Sequence, residues 1–382
     1  MAMNSGTNYQ YQRIYDDLIR RIEAGEFAPG GQMPTELALS AQYKVSRITS
    51  KKALNMLAER GVVWRRSGKG TFLATGAARK AEVVPKRHVG DRVLGLVADR
   101  LLQSFGLTLF YELDRAAREA GFRLYLRNTD CSQAREAEEI DYLRRIGAEG
   151  IFVIPARAPY YNPAILQMVL DHYPVHLLDS ALMGIEVPFV ATDNRAGGEQ
   201  LVDRLIEQGH RHIALATADM KTTISLQDRH SGYERALRRH GLLYQKEYVL
   251  DKLQSSLDGV DAAAAAAQDM ALLTSFFCAH PEVTGVMVLQ HALVTLVHRA
   301  AEAAGRNVPG TLSIAVFDEV YDAMGGYTYT HVKQDEARIA QEAMRRMSDT
   351  LQGAKVELSS YIRPTMLIGQ TTDAAVNGLL PP

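Results

Sequence analysis

The chain has 382 residues, 47% hydrophobic and 23% charged, the balance of an ordinary folded protein of two or three domains rather than a disordered or fibrous one. Its net charge of −1 hides a division: residues 1–80 hold 13 Lys/Arg against 6 Asp/Glu, a net +7, and the remainder is −8. A basic front on an acidic body assigns polyanion binding to the front and excludes it for the rest.

In chain order, Ile14, Leu18 and Ile22 recur at helical spacing over 9–24, and Gly25 ends that helix. Phe27 to Gly31 reads as a turn. Thr35 can cap a second helix running to about Tyr43, with Glu36 in its first turn. Ser46 can cap a third, running to about Arg60 and stopped by Gly61. In it Ile48, Leu54 and Leu57 are expected to face the core. Two short strands, 62–64 and 71–73, flank a Ser67-Gly68-Lys69-Gly70 turn. Three helices and a two-stranded wing predict a winged helix-turn-helix over 1–75.

The third helix presents Ser46, Arg47 and Thr49 in its first turn, with Lys51 and Lys52 one turn on. The first turn of a recognition helix reaches base edges, where arginine reads guanine with two hydrogen bonds. Ser46, Thr49 and the lysines suit phosphate oxygens. Arg65, Arg66 and Lys69 place more charge at the wing. Residues 44–69 hold eight Lys/Arg and one acid, Glu59, too lopsided for an ordinary solvated helix.

These residues resemble a known family. Gly25-Glu26-Phe27-Ala28-Pro29-Gly30, Met33-Pro34-Thr35-Glu36, Val45-Ser46-Arg47-Ile48-Thr49, Ala53-Leu54 and Gly68-Lys69-Gly70-Thr71-Phe72 are similar to the GntR family of bacterial transcription regulators. The resemblance implies DNA contacts from Arg47, Thr49 and Lys51 and from Ser67, Gly68 and Lys69. Leu37 departs from it, standing where many members carry a basic residue, and Ser50 stands where an apolar one is usual.

Residues 76–91 read as a linker. From Arg92 the pattern changes to alternating apolar strands (93–97, 124–126, 151–154, 175–178, 213–216, 286–289, 313–317) and helices (108–120, 134–146, 163–172, 195–208, 229–240, 262–279, 292–304). Such alternation predicts an α/β fold of parallel sheets covered by helices on both faces over 92–382. In such sheets ligands bind beyond the carboxyl ends of the strands. Asp99, Asp179, Gln290 and Asp318 stand at those ends, and Arg229 opens a helix. Carboxylates, an arginine and an amide suit a polyhydroxylated ligand, whose apolar face Phe105, Tyr160, Tyr161 or Phe317 could cover.

Here too there is a resemblance. Thr192-Asp193-Asn194-Arg195-Ala196-Gly197-Gly198, Gly209-His210-Arg211-His212-Ile213, Arg229-His230-Ser231-Gly232-Tyr233, Val308-Pro309, Phe317-Asp318 and Val332-Lys333-Gln334 are similar to the effector domain of LacI-type repressors, which has the periplasmic-binding-protein fold. It implies that the domain over 92–382 is two-lobed, with effector contacts from Asp179, Arg229, Asp318 and Gln334 and lobe crossings near 191, 319 and 360. Gln290-His291 replaces the usual Asn-Asp pair, and His291 would make recognition sensitive to pH. The linker shows no leucine-bearing hinge helix, so no minor-groove leucine wedge is expected.

A GntR-like head on a LacI-like sensor resembles the arabinose-responsive repressors. The expectation is a homodimeric bacterial repressor on a pseudo-palindromic operator, released by a sugar or related effector. Alternatives are a regulator using its ligand as co-repressor, or a cytoplasmic solute-binding protein. An enzyme is not expected: there is no phosphate-binding glycine loop after the first strand, no nucleophile motif and no metal-ligand cluster, and no cofactor is implied. His210 and His212 read as turn packing. Cys131 and Cys278 lie far apart, which fits a reducing compartment. With neither a signal-like start nor a run approaching the length of a membrane span, the expected location is cytoplasmic, with no membrane partner.

Overall fold

The computed structural model describes residues 10–28, 30–59, 62–66, 70–73, 92–98, 104–156, 161–182, 184–221, 223–257, 260–320 and 328–375. Contacts divide the chain into two units, Met1–Val89 and Gly90–Pro382.

The first unit holds α1 (Gln10–Glu23), α2 (Glu36–Tyr43), α3 (Arg47–Glu59) and an antiparallel hairpin of β1 (Val63–Arg66) and β2 (Gly70–Leu73). The Thr35 hydroxyl accepts from the Ala38 amide at 3.1 Å and so caps α2. Lys44, in the left-handed region at φ 52°, ends the helix. Ile14, Leu18, Leu39, Leu54, Leu57, Val63 and Leu73 form one core. Leu54 and Leu57 face it as expected, but Ile48 does not: it is 81% exposed. The inward stripe of α3 runs Ser50, Ala53, Leu54, Leu57, and Ile48 lies two residues, about 200°, from Ser50 on the helical wheel. Ser50 is buried without penalty because its hydroxyl donates to the Glu36 carbonyl oxygen at 2.8 Å.

The second unit has two lobes, each on a six-stranded sheet. The first builds β3 (Arg92–Ala98), α4 (Ser104–Glu119), β4 (Phe122–Asn128), α5 (Gln133–Arg145), β5 (Gly150–Ile154), α6 (Pro163–Leu170), β6 (Val175–Leu178) and β7 (Phe189–Thr192). The second builds α7 (Asn194–Glu207), β8 (Ile213–Ala218), α8 (Ile224–Arg239), β9 (Val249–Leu253), α9 (Ala262–Ala279), β10 (Gly285–Val288), α10 (His291–Ala303), β11 (Ser313–Phe317) and β12 (Thr330–Lys333). Then α11 (Glu336–Leu351) and β13 (Ser359–Ile362) return to the first lobe, and β14 (Thr365–Leu367) ends in the second. The strand orders are β4-β3-β5-β6-β7-β13, all parallel, and β9-β8-β10-β11-β12-β14, parallel except for β14. Strands buried on both faces need no polar alternation, which is why β6, β8 and β11 are continuously buried apolar or small residues apart from His176, Thr217 and Ser313.

The crossing expected near 319 is not where the chain changes lobes. Beyond β11, β12 still pairs parallel with β11 in the second sheet, so the passage comes after Lys333, into α11, which packs on α4. Thr-His-Val-Lys is too short and too polar to announce a strand. A second correction concerns α9. Its 18 residues are apolar and long enough to span a membrane, the one such helix among the described residues. It instead lays Leu273, Phe276 and Phe277 against the core of the second lobe.

Helices α7 and α8 pack unusually closely. A Cβ on Gly198 would overlap the carbonyl oxygen of Arg229, and one on Gly232 the carbonyl oxygen of Arg195. The two helices therefore touch backbone to backbone, which only glycine permits.

Candidate functional site

Arg229 lies in the first half of α8 and is 6% exposed. Its Nε donates to the Asn194 side-chain oxygen at 2.8 Å, and its Nη1 donates to the Leu289 carbonyl at 2.7 Å and to Asp318 at 3.4 Å. The guanidinium carbon sits 3.5 Å from the centre of the Phe317 ring, a stacked cation on an aromatic face. Asp318 follows β11 at φ 75°, and its other oxygen accepts from the Gln334 amide at 2.6 Å. The Gln334 oxygen in turn takes the hydroxyl of Thr192, which is 1% exposed. One network thus joins Arg229, Asp318 and Gln334 at the carboxyl ends of strands and fastens them to the first and second lobe crossings.

Gln290 stands nearby but is committed elsewhere. The Ala218 backbone N–H can only donate, so the Gln290 oxygen must face it, at 3.1 Å, and the Ser256 hydroxyl shares that oxygen at 3.4 Å. Its amide nitrogen has no partner among the described residues. Ser256 is delivered by Asp269, 3% exposed on α9, whose carboxylate accepts from the backbone amides of Gln254 and Ser255 at 2.9 and 2.7 Å. His291, half-buried, opens α10.

Asp179 ends β6 at φ 62° in the first lobe, its amide bound to the Val190 carbonyl at 3.0 Å. Asp99 and Tyr160 lie outside the described residues. Phe105 packs half-buried against the first-lobe core, and Tyr161 is 37% exposed. Phe317 is fully buried beneath Arg229 and cannot cover a ligand, because the guanidinium occupies its face. Thr192 and Asn194 stand in a motif that the sequence makes conspicuous, yet neither carries an expected role there, and Ser256, Asp269 and Glu336 carry no sequence signal at all. Glu336 opens α11, where burial pushes its carboxyl above the usual range and Asp318 adds to that push. Only the fold brings these groups together. His210 and His212 take separate partners, Thr284 and the Asp373 carbonyl for one and Tyr248 for the other, as turn packing requires.

On α3, Ser46 caps the helix through the Thr49 amide at 3.2 Å, and its hydroxyl meets that of Thr49 at 2.8 Å. Arg47 and Lys51 are exposed, while Lys52 turns its ammonium 3.9 Å over the Tyr11 ring of α1. Both oxygens of Glu36 hold cations: Arg47 at 3.4 Å and Arg65 of β1 at 3.4 Å. Arg66 closes β1, its side chain outside the described set, and Ser67, Gly68 and Lys69 lie outside the described residues.

Comparison with known proteins gives the same division. Residues 10–73 match the gntR family of bacterial regulatory proteins, and residues 91–354 match the periplasmic binding proteins and sugar binding domain of the LacI family. The chain is 25% identical to the arabinose metabolism transcriptional repressor of Geobacillus stearothermophilus, over 97% of this chain and 99% of that one. In fold it is similar to a LacI family regulator from Enterococcus faecium with bound ribose (TM-score 0.60, 21% identity, 74% of this chain and 99% of that one). It is similar also to a periplasmic binding protein/LacI regulator from Alkaliphilus metalliredigens complexed with D-xylulofuranose (TM-score 0.58, 18% identity, 74% and 99%). The chain belongs to the family of periplasmic binding proteins and LacI-type sugar-binding domains, here fused behind a gntR-family helix-turn-helix.

Proposed function

We propose that this protein is a cytoplasmic transcriptional repressor of a carbohydrate-utilisation operon, released from DNA by a sugar or a close chemical relative. The observation that carries the reading is the Arg229–Asp318–Gln334 network, which offers fixed donors and acceptors at strand ends and is hydrogen-bonded to the first lobe crossing through Thr192. Effector hydroxyls compete for Asp318 and Arg229, and Gln290 contributes its amide N–H. Asp179 and His291 complete the contacts from the two lobes. Similarity over nearly its whole length to a repressor of arabinose metabolism, and sugars bound in two related folds, support a sugar effector.

Arg47, Thr49 and Lys51 read the operator from α3, with Ser46 and Lys52 on the backbone and Arg65, Arg66 and Ser67 to Lys69 at the wing. Two heads of a homodimer meet a pseudo-palindromic site. Release requires the effector to favour one arrangement of the lobes, since equal affinity for both shifts nothing. Calorimetry with L-arabinose, D-ribose and D-xylulose, on wild type and Asp318→Ala, tests the sensor. Unchanged binding in the variant would sink the site. If the bound sugar tightens DNA binding in a gel shift, the protein is co-repressed rather than induced.

A further inference from the structure

A concavity of about 430 Å³ lies beside the first and third lobe crossings and shares only Asn194 with the network around Arg229. Its walls come from the first crossing (Asp193, Arg195), from α8 (Asp228, Arg235) and from the third crossing (Tyr361, Arg363). That volume suits a monosaccharide-sized molecule.

The charges on its walls are unevenly satisfied. Arg195 pairs with Asp228 at 2.9 Å, and Arg235 pairs with Glu199 at 2.9 Å. Asp193 is used in capping α7, accepting from the Ala196 amide at 2.9 Å. Arg363 is exposed and has neither an ion pair nor a hydrogen bond among the described residues. One guanidinium is therefore left for an anion, which it can grip with two parallel hydrogen bonds. Tyr361 is 57% exposed and meets Phe189 nearly perpendicular, at 78° and 5.3 Å between centres, so much of its ring stays open. An open aromatic ring suits the C–H side of a sugar, and the Asp228 carboxylate, bound to Arg195 through one oxygen, accepts from its hydroxyls through the other.

We propose that this cavity is a second small-molecule site, for a monosaccharide-sized polyol carrying one phosphate or carboxylate. The Asp193 amide donates to the Ile362 carbonyl at 2.8 Å, so the first and third crossings already run side by side here. A ligand whose anion is held by Arg363 and whose hydroxyls reach Asp228, itself bound to Arg195, adds a second tie between them and resists lobe movement.

Calorimetric titration of the full chain tests this, with D-ribose 5-phosphate and D-gluconate as charged probes and D-ribose and inorganic phosphate as the two halves. At least one charged probe should bind tenfold or more tightly than either half. Arg363→Ala and Tyr361→Ala, both surface changes, should each weaken that binding tenfold or more, while Asp318→Ala leaves it unchanged. Gln334→Ala replaces Asp318→Ala if the latter does not fold. Failure of both charged probes, or binding that survives Arg363→Ala, overturns the proposal. So does binding that disappears with Asp318→Ala or Gln334→Ala, which places the probe in the first site. Loss of neutral-sugar binding in those variants alone leaves the two sites separable.

Discussion

Gln334 donates its side-chain amide to Asp318 at 2.6 Å and receives the Thr192 hydroxyl on its oxygen. A carboxylate can only accept, so the amide has one permitted orientation and Thr192 must be the donor. Thr192 precedes the first lobe crossing and Gln334 stands at the second, so the group that holds Arg229 in register is also a clasp between two crossings. Thr192→Val keeps the shape and removes the donor, stranding a buried amide oxygen. The expected loss is about 1–3 kcal/mol in urea unfolding of the sensor unit, with Thr192→Ser recovering most of it.

Arg229 serves three acceptors at once, and one of them is a charge. Arg229→Ala leaves the part-buried Asp318 without its cation, at a cost of up to about 3 kcal/mol. Arg229→Lys restores the charge but not the fork and should recover less than half. The double variant Arg229→Met with Asp318→Leu should unfold at higher denaturant than Arg229→Ala, because no buried charge is then unpaired. Chemical denaturation of the set checks all three.

Gly232→Ala drives a methyl into the Arg195 carbonyl across the α7–α8 contact. Backbone cannot yield as a side-chain end can, so the helices must separate. A loss of about 1–3 kcal/mol is expected from such overpacking, together with weaker sugar binding, since Arg229 lies one turn before Gly232. Normal affinity in a stable variant would show that the helix contact does not set the position of Arg229.

In the head, Glu36 holds Arg47 and Arg65, two of the cations proposed to meet DNA. Arg47→Ala should weaken binding to the DNA upstream of its own gene and lower the slope of log K against log salt by about one. Glu36→Gln should act the other way: stronger but less selective binding, with a steeper salt slope. Fold stability should move by about 0–1 kcal/mol, as for other surface pairs. Gel shifts across a salt series separate the two effects.

His176, fully buried in β6, has its titration pushed down to about 4 by burial, with Arg346 adding to the shift. The Thr350 hydroxyl donates to the Arg346 carbonyl at 3.0 Å, so it accepts from His176 Nε2–H at 2.8 Å. An unfolded histidine takes up its proton near 6.5, so between 6.5 and 4 the unfolded chain binds more protons. Stability should therefore fall as pH drops through that window, by up to about 3 kcal/mol. His176→Phe should flatten this slope in a series of unfolding curves from pH 7 to 4.

Much of the architecture is legible in the sequence because it rests on local chemistry. Thr35 caps a helix wherever it precedes one, and continuous apolar strands such as 313–317 announce a sheet covered on both faces. The failures have physical causes. Hydrophobicity alone turns Ile48 inward, but helical phase puts Ser50 there, and a hydrogen bond to Glu36 satisfies the hydroxyl. The second crossing falls beyond 319 because β12, four residues ending in lysine, carries no signal until β11 offers it an edge. Phe317 is available to a ligand only if its face is free, and Arg229 lies on it.

By itself, the sequence determined that a basic winged helix precedes an acidic body of alternating strands and helices, and which charged residues stand at strand ends. Composition, caps and apolar periodicity act over a few residues and survive being read in one dimension. Tertiary structure alone decided that Arg229, Asp318, Gln334 and Thr192 share hydrogen bonds, since they are contributed by α8, the end of β11, the second crossing and β7. It also decided that Arg195, Tyr361 and Arg363 wall one cavity. Such contacts depend on how two helices approach through Gly198 and Gly232 and on where a chain changes lobes, which no local pattern encodes.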